Sequence, residues 1–227
     1  MRSGNRLNPA IYLQAIPLLF RHPSIVVAPL TASVVSVLLS QLGQLMTDPV
    51  GGVGAGLYGF IGQIVYLIAF ATAVIQAHNI WRGYDGSFDA AWRETKGKLG
   101  GIALAAVGFS FLLSVAAQIG AYLGPISILL QLLVAFLLIY TIPAAAIGGQ
   151  PAGYAIQASY RAAVAHPWAT ALLAIVFVVF TDFVPLFLSP LYGGLPSIAV
   201  QLIAAAIYAL LLSYLAFPFA KQYDDIA

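Results

Sequence analysis

The amino-acid sequence predicts an all-α fold: a polytopic membrane bundle of six transmembrane helices, with short interfacial helices and three parallel helix-hairpin repeats. Three observations predict it. The 227 residues are 62% hydrophobic and 7% charged, with a mean hydropathy of +0.97, whereas soluble domains carry about 25% charged residues. Uncharged runs cover 22–47, 49–81, 99–160, 162–181 and 183–220, and about 20 apolar residues suffice to cross ~30 Å of hydrocarbon. All nine lysines and arginines fall in alternate connections between these runs.

The spans follow from the runs. The stretch 99–160 is too long for one crossing, and Gly120-Ala121-Tyr122-Leu123-Gly124-Pro125 breaks it. Spans are therefore expected at about 25–45, 56–79, 99–121, 125–147, 167–187 and 197–219, in a single domain over 1–227. Arg2 and Arg6 ahead of an apolar run resemble the start of a secretory signal. Arg21-His22-Pro23 stands where a small-residue cleavage site is needed, so cleavage is not expected.

Orientation comes from the cations. Arg2, Arg6 and Arg21 precede span 1, and Arg82, Arg93, Lys96 and Lys98 separate spans 2 and 3. Arg161 separates spans 4 and 5, and Lys221 follows span 6. Lysine and arginine asymmetry in short loops sets topology. Both termini are thus expected on the cytoplasmic side of a bacterial inner membrane. The net charge of +2 is sorted by membrane side rather than gathered into a groove-sized patch, so nucleic acid is not an expected partner. With no cysteine in the chain, thiol catalysis, disulfides and thiolate metal sites are excluded.

Each cationic segment also predicts a helix lying flat before the next span. In 87–98, Ser87 is a cap and Asp89 occupies the first turn. Asp89, Arg93 and Lys96 share one face, and Phe88, Trp92, Thr95 and Leu99 the other, the pattern of an interfacial amphipathic helix. Segment 151–165 has Pro151 as its first helical residue, Ile156, Tyr160 and Val164 in line, and Arg161 off that line. Segment 8–21 has Asn8 as cap, Pro9 as start and Pro17 as a kink. Ala91-Trp92-Arg93 aligns with Ser159-Tyr160-Arg161. His22-Pro23 aligns with His166-Pro167, and Lys98-Leu99 holds that place in the middle unit. Three repeats are expected, at about 8–80, 84–147 and 151–219, related by an axis along the membrane normal.

The residues Tyr140-Thr141-Ile142-Pro143, Gly148-Gly149-Gln150-Pro151, Ala155-Ile156-Gln157-Ala158-Ser159-Tyr160 and His166-Pro167-Trp168 carry a resemblance. This stretch is similar to the bacterial membrane domains found beside glycerophosphodiester phosphodiesterases and to stand-alone relatives of the YciC type. The resemblance implies a six-helix integral membrane module. Phosphodiesterase activity in the fused family members belongs to a separate soluble barrel, so no catalytic residue is carried over.

Candidate functional residues form three groups. Gln41, Gln44, Gln63, Gln118, Gln131 and Gln201, with Asp182 in span 5, place an amide or carboxylate in the outer half of every span. Unpaired polar groups in hydrocarbon are costly, so these should face inward. Interhelical hydrogen bonding is the simpler use of this layer; an outward-facing polar cavity around Asp182 is the functional one. Trp92, Arg93, Lys96, Lys98, Tyr160 and Arg161 form an interfacial or docking set. His22, His78 and His166 lie at cytoplasmic span ends, where capping and anchoring compete with metal binding. The glycine-rich stretch 47–56 lacks the lysine of a phosphate loop and reads as a turn. Gly52/Gly56 and Gly97/Gly101 are small-residue pairs suited to close helix approach.

Chemistry is poorly supplied. Glu94 is the only glutamate, and acid–base pairs or carboxylate metal sites need more. The leading expectation is a non-enzymatic membrane protein, without cofactor, working through lipid or protein contacts, with a homo-oligomer or larger membrane complex open to it. A small permease or transporter subunit using the Asp182 cavity is the alternative, and a membrane-embedded enzyme the second.

Overall fold

The computed structural model describes residues 8–45, 53–123, 127–180 and 197–226, and no strand occurs among them. Helix α1 (Ala10–Arg21) leads through a 3₁₀ turn (Pro23–Val26) into α2 (Val27–Leu45). Helices α3 (Val53–Trp81) and α4 (Phe88–Leu123) follow, then α5 (Ser127–Leu138) and the short α6 (Thr141–Ala146). Helices α7 (Ala152–Ala165), α8 (Pro167–Val178) and α9 (Ser197–Ile226) complete the described chain. Five stretches are long and apolar enough to cross a membrane: Pro23–Gly43, Gly56–Trp81, Phe88–Gly120, Ile128–Ala146 and Ile198–Ile226. Helices α7 and α8 pass the same test together but are bent by 115°. The predicted fifth span begins as α8, and its last part, from residue 181, lies outside the described residues.

Prolines set the breaks. His22 (φ −126°, ψ 63°) and His166 (φ −129°, ψ 59°) adopt nearly the same backbone conformation, each between a short helix and a proline that starts the next. Proline disfavours the α region for the residue before it. Lys98-Leu99 lacks that proline, and α4 runs unbroken through it for 36 residues. The predicted interfacial helix over 87–98 is therefore not a separate element. It is the first part of a helix of about 54 Å, longer than ~30 Å of hydrocarbon.

The predicted span 125–147 is interrupted after α5, because Pro143 cannot donate to the carbonyl of Ile139. Ser159 of α7 repairs the gap: its hydroxyl donates to Leu137 O at 2.9 Å and accepts from Tyr140 N–H at 3.0 Å.

Starts are corrected by small amounts. Asn8 does not cap; Pro9 flanks α1 with no side-chain cap, and Pro151 flanks α7 rather than beginning it. Ser87 does cap α4, accepting from Ala90 N–H at 3.3 Å.

The core is built of small residues. Alanines supply more than half of the buried apolar positions, including Ala71, Ala73 and Ala77 of α3 and Ala144 to Ala146 of α6. Leucines such as Leu104, Leu129 and Leu133 face outward. Lipid tails are as apolar as leucine, so helix contact gains from close backbone approach rather than from hiding large side chains. Close approaches occur elsewhere than at Gly56, Gly97 and Gly101 of the predicted pairs, and Gly52 lies outside the described residues. A Cβ at Gly97 would meet nothing, whereas one at Gly62 would come within 3.2 Å of Ser36 Oγ, and one at Gly108 within 3.2 Å of Ile156.

Candidate functional site

A cavity of about 720 Å³ lies inside the bundle, and α2, α3, α4, α5, α8 and α9 all contribute to its wall. Its depth follows from where each lining residue falls along its helix. Phe70, Phe109, Phe177 and Phe219 form the floor. Phe219 meets Phe70 edge-on at 5.0 Å and Phe177 at 6.1 Å. Beyond them, away from the end of the bundle that carries Arg82, Lys98 and Lys221, the wall includes Ser36, Ser40, Gln63, Ser114 and Gln131. Among the described lining residues there is no Asp, Glu, Lys, Arg or His. The site is a graded one: aromatic at the bottom, neutral and hydrogen-bonding above.

The polar layer divides. Gln63 and Gln131 line the cavity and have no hydrogen-bond partner among the described residues. Gln41 Nε2 donates to Gln201 Oε1 at 2.8 Å, tying α2 to α9. Gln118 is exposed and does not line the cavity. Asp182 lies outside the described residues, and so does the side chain of Gln44. Sequence reasoning missed the hydroxyls Ser36, Ser40 and Ser114 and the phenylalanine floor. Ser36 and Ser40, four apart and so on one helical face, were the available signal.

The opposite end is fastened by polar contacts. Arg82 pairs with Asp224, whose carboxylate also lies 3.4 Å from His78 Nε2. Lys98 Nζ donates to Glu94 Oε1 at 2.7 Å and to Ala146 O at 2.8 Å, so a cation caps the C-terminus of α6. Lys98, expected in the interfacial or docking set, is thus tied to α6 by its contacts. Trp92, Arg93, Lys96, Tyr160 and Arg161 are exposed, and Trp92 stacks on Phe88. Between α6 and α7, Gly148 has no room for a Cβ, which would sit 2.7 Å from both Ala144 O and Tyr223 OH; Gly149 has φ +61°. In the α3–α4 turn, the Ser87 N–H at 2.9 Å holds the Asp85 carboxyl below the usual carboxylate range.

Gln76, absent from the predicted set, is fully buried near this end and donates to Ser24 Oγ at 2.9 Å and Gly86 O at 2.7 Å. His22, His78 and His166 do not form a metal-binding group, and none exists among the described residues. A second hollow of about 280 Å³ lies between α5 and α8, lined only by apolar residues including the exposed Leu129, Leu133 and Ile175.

No protein-family model, no curated protein and no solved structure matches this chain.

Proposed function

We propose that the chain is a non-enzymatic, six-span protein of the bacterial cytoplasmic membrane that works through contacts with lipid. The observation that carries this reading is the axial cavity: amphipathic, without a charged group in its described wall, and set in a bundle with leucines outside. Apolar walls with a few converging polar groups are the usual form of a small-molecule site. Both termini are cytoplasmic in this reading, on the end where Arg82, Lys98 and Lys221 lie. The cavity polar end then points toward the outer leaflet.

The reading includes the threefold repeat, and placement supports it. Under the sequence alignment, Ala15, Ala91 and Ser159 are equivalent, and all three are fully buried. Phe109 and Phe177 are equivalent and both line the cavity. Each short or leading helical segment packs on the preceding unit in cyclic order: α1 on α9, the start of α4 on α3, and α7 on α6. The resemblance to the phosphodiesterase-associated and YciC-type membrane modules fits this arrangement.

Lipid dependence tests the proposal. Anything that binds only the folded state raises its stability. Delipidated protein should show a thermal midpoint that rises as phospholipid is added back, and purified protein should carry extractable lipid. A midpoint indifferent to lipid, in protein that carries none, removes the basis for the reading.

The open, partly polar cavity also favours a second reading, a small permease or transporter subunit. Asp182→Asn is then expected to abolish flux, and unchanged phenotypes would dispose of it.

A further inference from the structure

We propose that the axial cavity takes an uncharged, single-chain amphiphile, with its chain on the phenylalanine floor and a hydroxyl-bearing headgroup among Ser40, Gln63, Ser114 and Gln131. This deepens the lipid-contact reading and rests on it.

Three observations select the ligand class. The lining has aromatic and aliphatic surface at the end nearest the cationic helix termini, which suits a hydrocarbon chain by burial of apolar area. The polar residues are amides and hydroxyls, which both donate and accept. They match a glycerol or alcohol headgroup, whose oxygens do the same. The described wall holds no charged side chain, so it offers a phosphate or ammonium headgroup no counter-charge, and burying such a group unpaired is heavily disfavoured. Gln63 and Gln131 supply the polar demand from the protein side. Their amides lack partners among the described residues, and a headgroup hydroxyl can both donate to and accept from them. A volume of about 720 Å³ falls within the usual size range of small-ligand sites, which favours one chain over a two-chain phospholipid.

Native mass spectrometry of the purified full chain, titrated with monoolein and separately with oleoyl-lysophosphatidylglycerol, tests this. The probes share their acyl chain and differ in headgroup charge. Monoolein is expected to bind at least about tenfold more tightly. Ala135 is buried on the cavity wall, and Ala135→Phe fills the space there; binding should fall by about tenfold or more. Gln131→Leu keeps the bulk and removes the amide, and should weaken monoolein several-fold while leaving the lysophospholipid unchanged. This second variant decides the matter where Ala135→Phe does not fold. Equal affinity for the two probes, preference for the lysophospholipid, or monoolein binding unaltered in Gln131→Leu would each overturn the proposal. If wild-type protein ignores monoolein yet its thermal midpoint still rises with phospholipid, the ligand class is wrong and the lipid-contact reading survives. If neither lipid has an effect, both fall.

Discussion

Two cations near the same end of the bundle do different work. Lys98 is about two-thirds covered and satisfies the carbonyl of Ala146 as well as Glu94. Arg82 has 47% of its side chain exposed and meets only Asp224 among the carboxylates. Hydrogen bonds from a charged donor to partly buried acceptors are worth about 1.5–3 kcal/mol, whereas exposed ion pairs contribute about 0–1 kcal/mol. Lys98→Met is therefore expected to lower stability by about 1–3 kcal/mol, and Arg82→Ala by less. Thermal unfolding in a fixed detergent checks the order, and an equal or larger loss at Arg82 would contradict it. The asymmetry of solvation explains why the two residues, indistinguishable as topology signals, separate once their surroundings are known.

At the level of elements, proline placement decides where a helix stops. His22 and His166 share one backbone conformation because each precedes a proline, and the middle unit, with Leu99 in that place, continues straight. Pro167→Ala lifts the restriction on His166. The 115° bend between α7 and α8 should then relax toward a continuous helix. Spin labels at the exposed positions Tyr154 and Ile175 would report a longer separation by pulsed electron resonance. An unchanged distance would show that packing of α7 through Ser159 holds the bend instead. The α5–α6 break also involves a proline, Pro143, through its missing N–H, but its repair by Ser159 joins residues 22 apart in sequence.

For the whole molecule, the charged side chains among the described residues gather toward one end of the bundle. The chain has no cysteine, so single-cysteine variants can be made directly. Cysteines replacing Arg93 or Arg161 should react with an impermeant reagent only in inverted vesicles. One replacing Tyr122, which is 91% exposed, should react in intact cells. Labelling of Tyr122→Cys and Arg93→Cys from the same side would collapse the six-span arrangement and the cavity orientation together. The axial cavity also has a consequence for packing: small residues bring the helices close around α3 and α6, while large aromatics line the space farther along.

Composition and the spacing of cations were enough to read an all-helical chain with several apolar crossings, because hydrocarbon excludes charge and a crossing needs a minimum length; six were expected, and five helices are long and apolar enough, or six if the bent pair α7–α8 is one span. The Ser87 cap and the exposure of Asp89, Arg93 and Lys96 were legible for a similar reason: they depend on residues within one or two turns. Three-dimensional packing alone decided the rest. Nothing local separates Gln41, bonded to Gln201, from Gln63, which faces the cavity, or from Gln118, which is exposed. Glycine spacing did not show that Gly62 and Gly108 sit at close contacts and Gly97 does not. Which face of a helix is buried depends on what the other helices present to it, and in a lipid-solvated bundle hydrophobicity no longer marks that face.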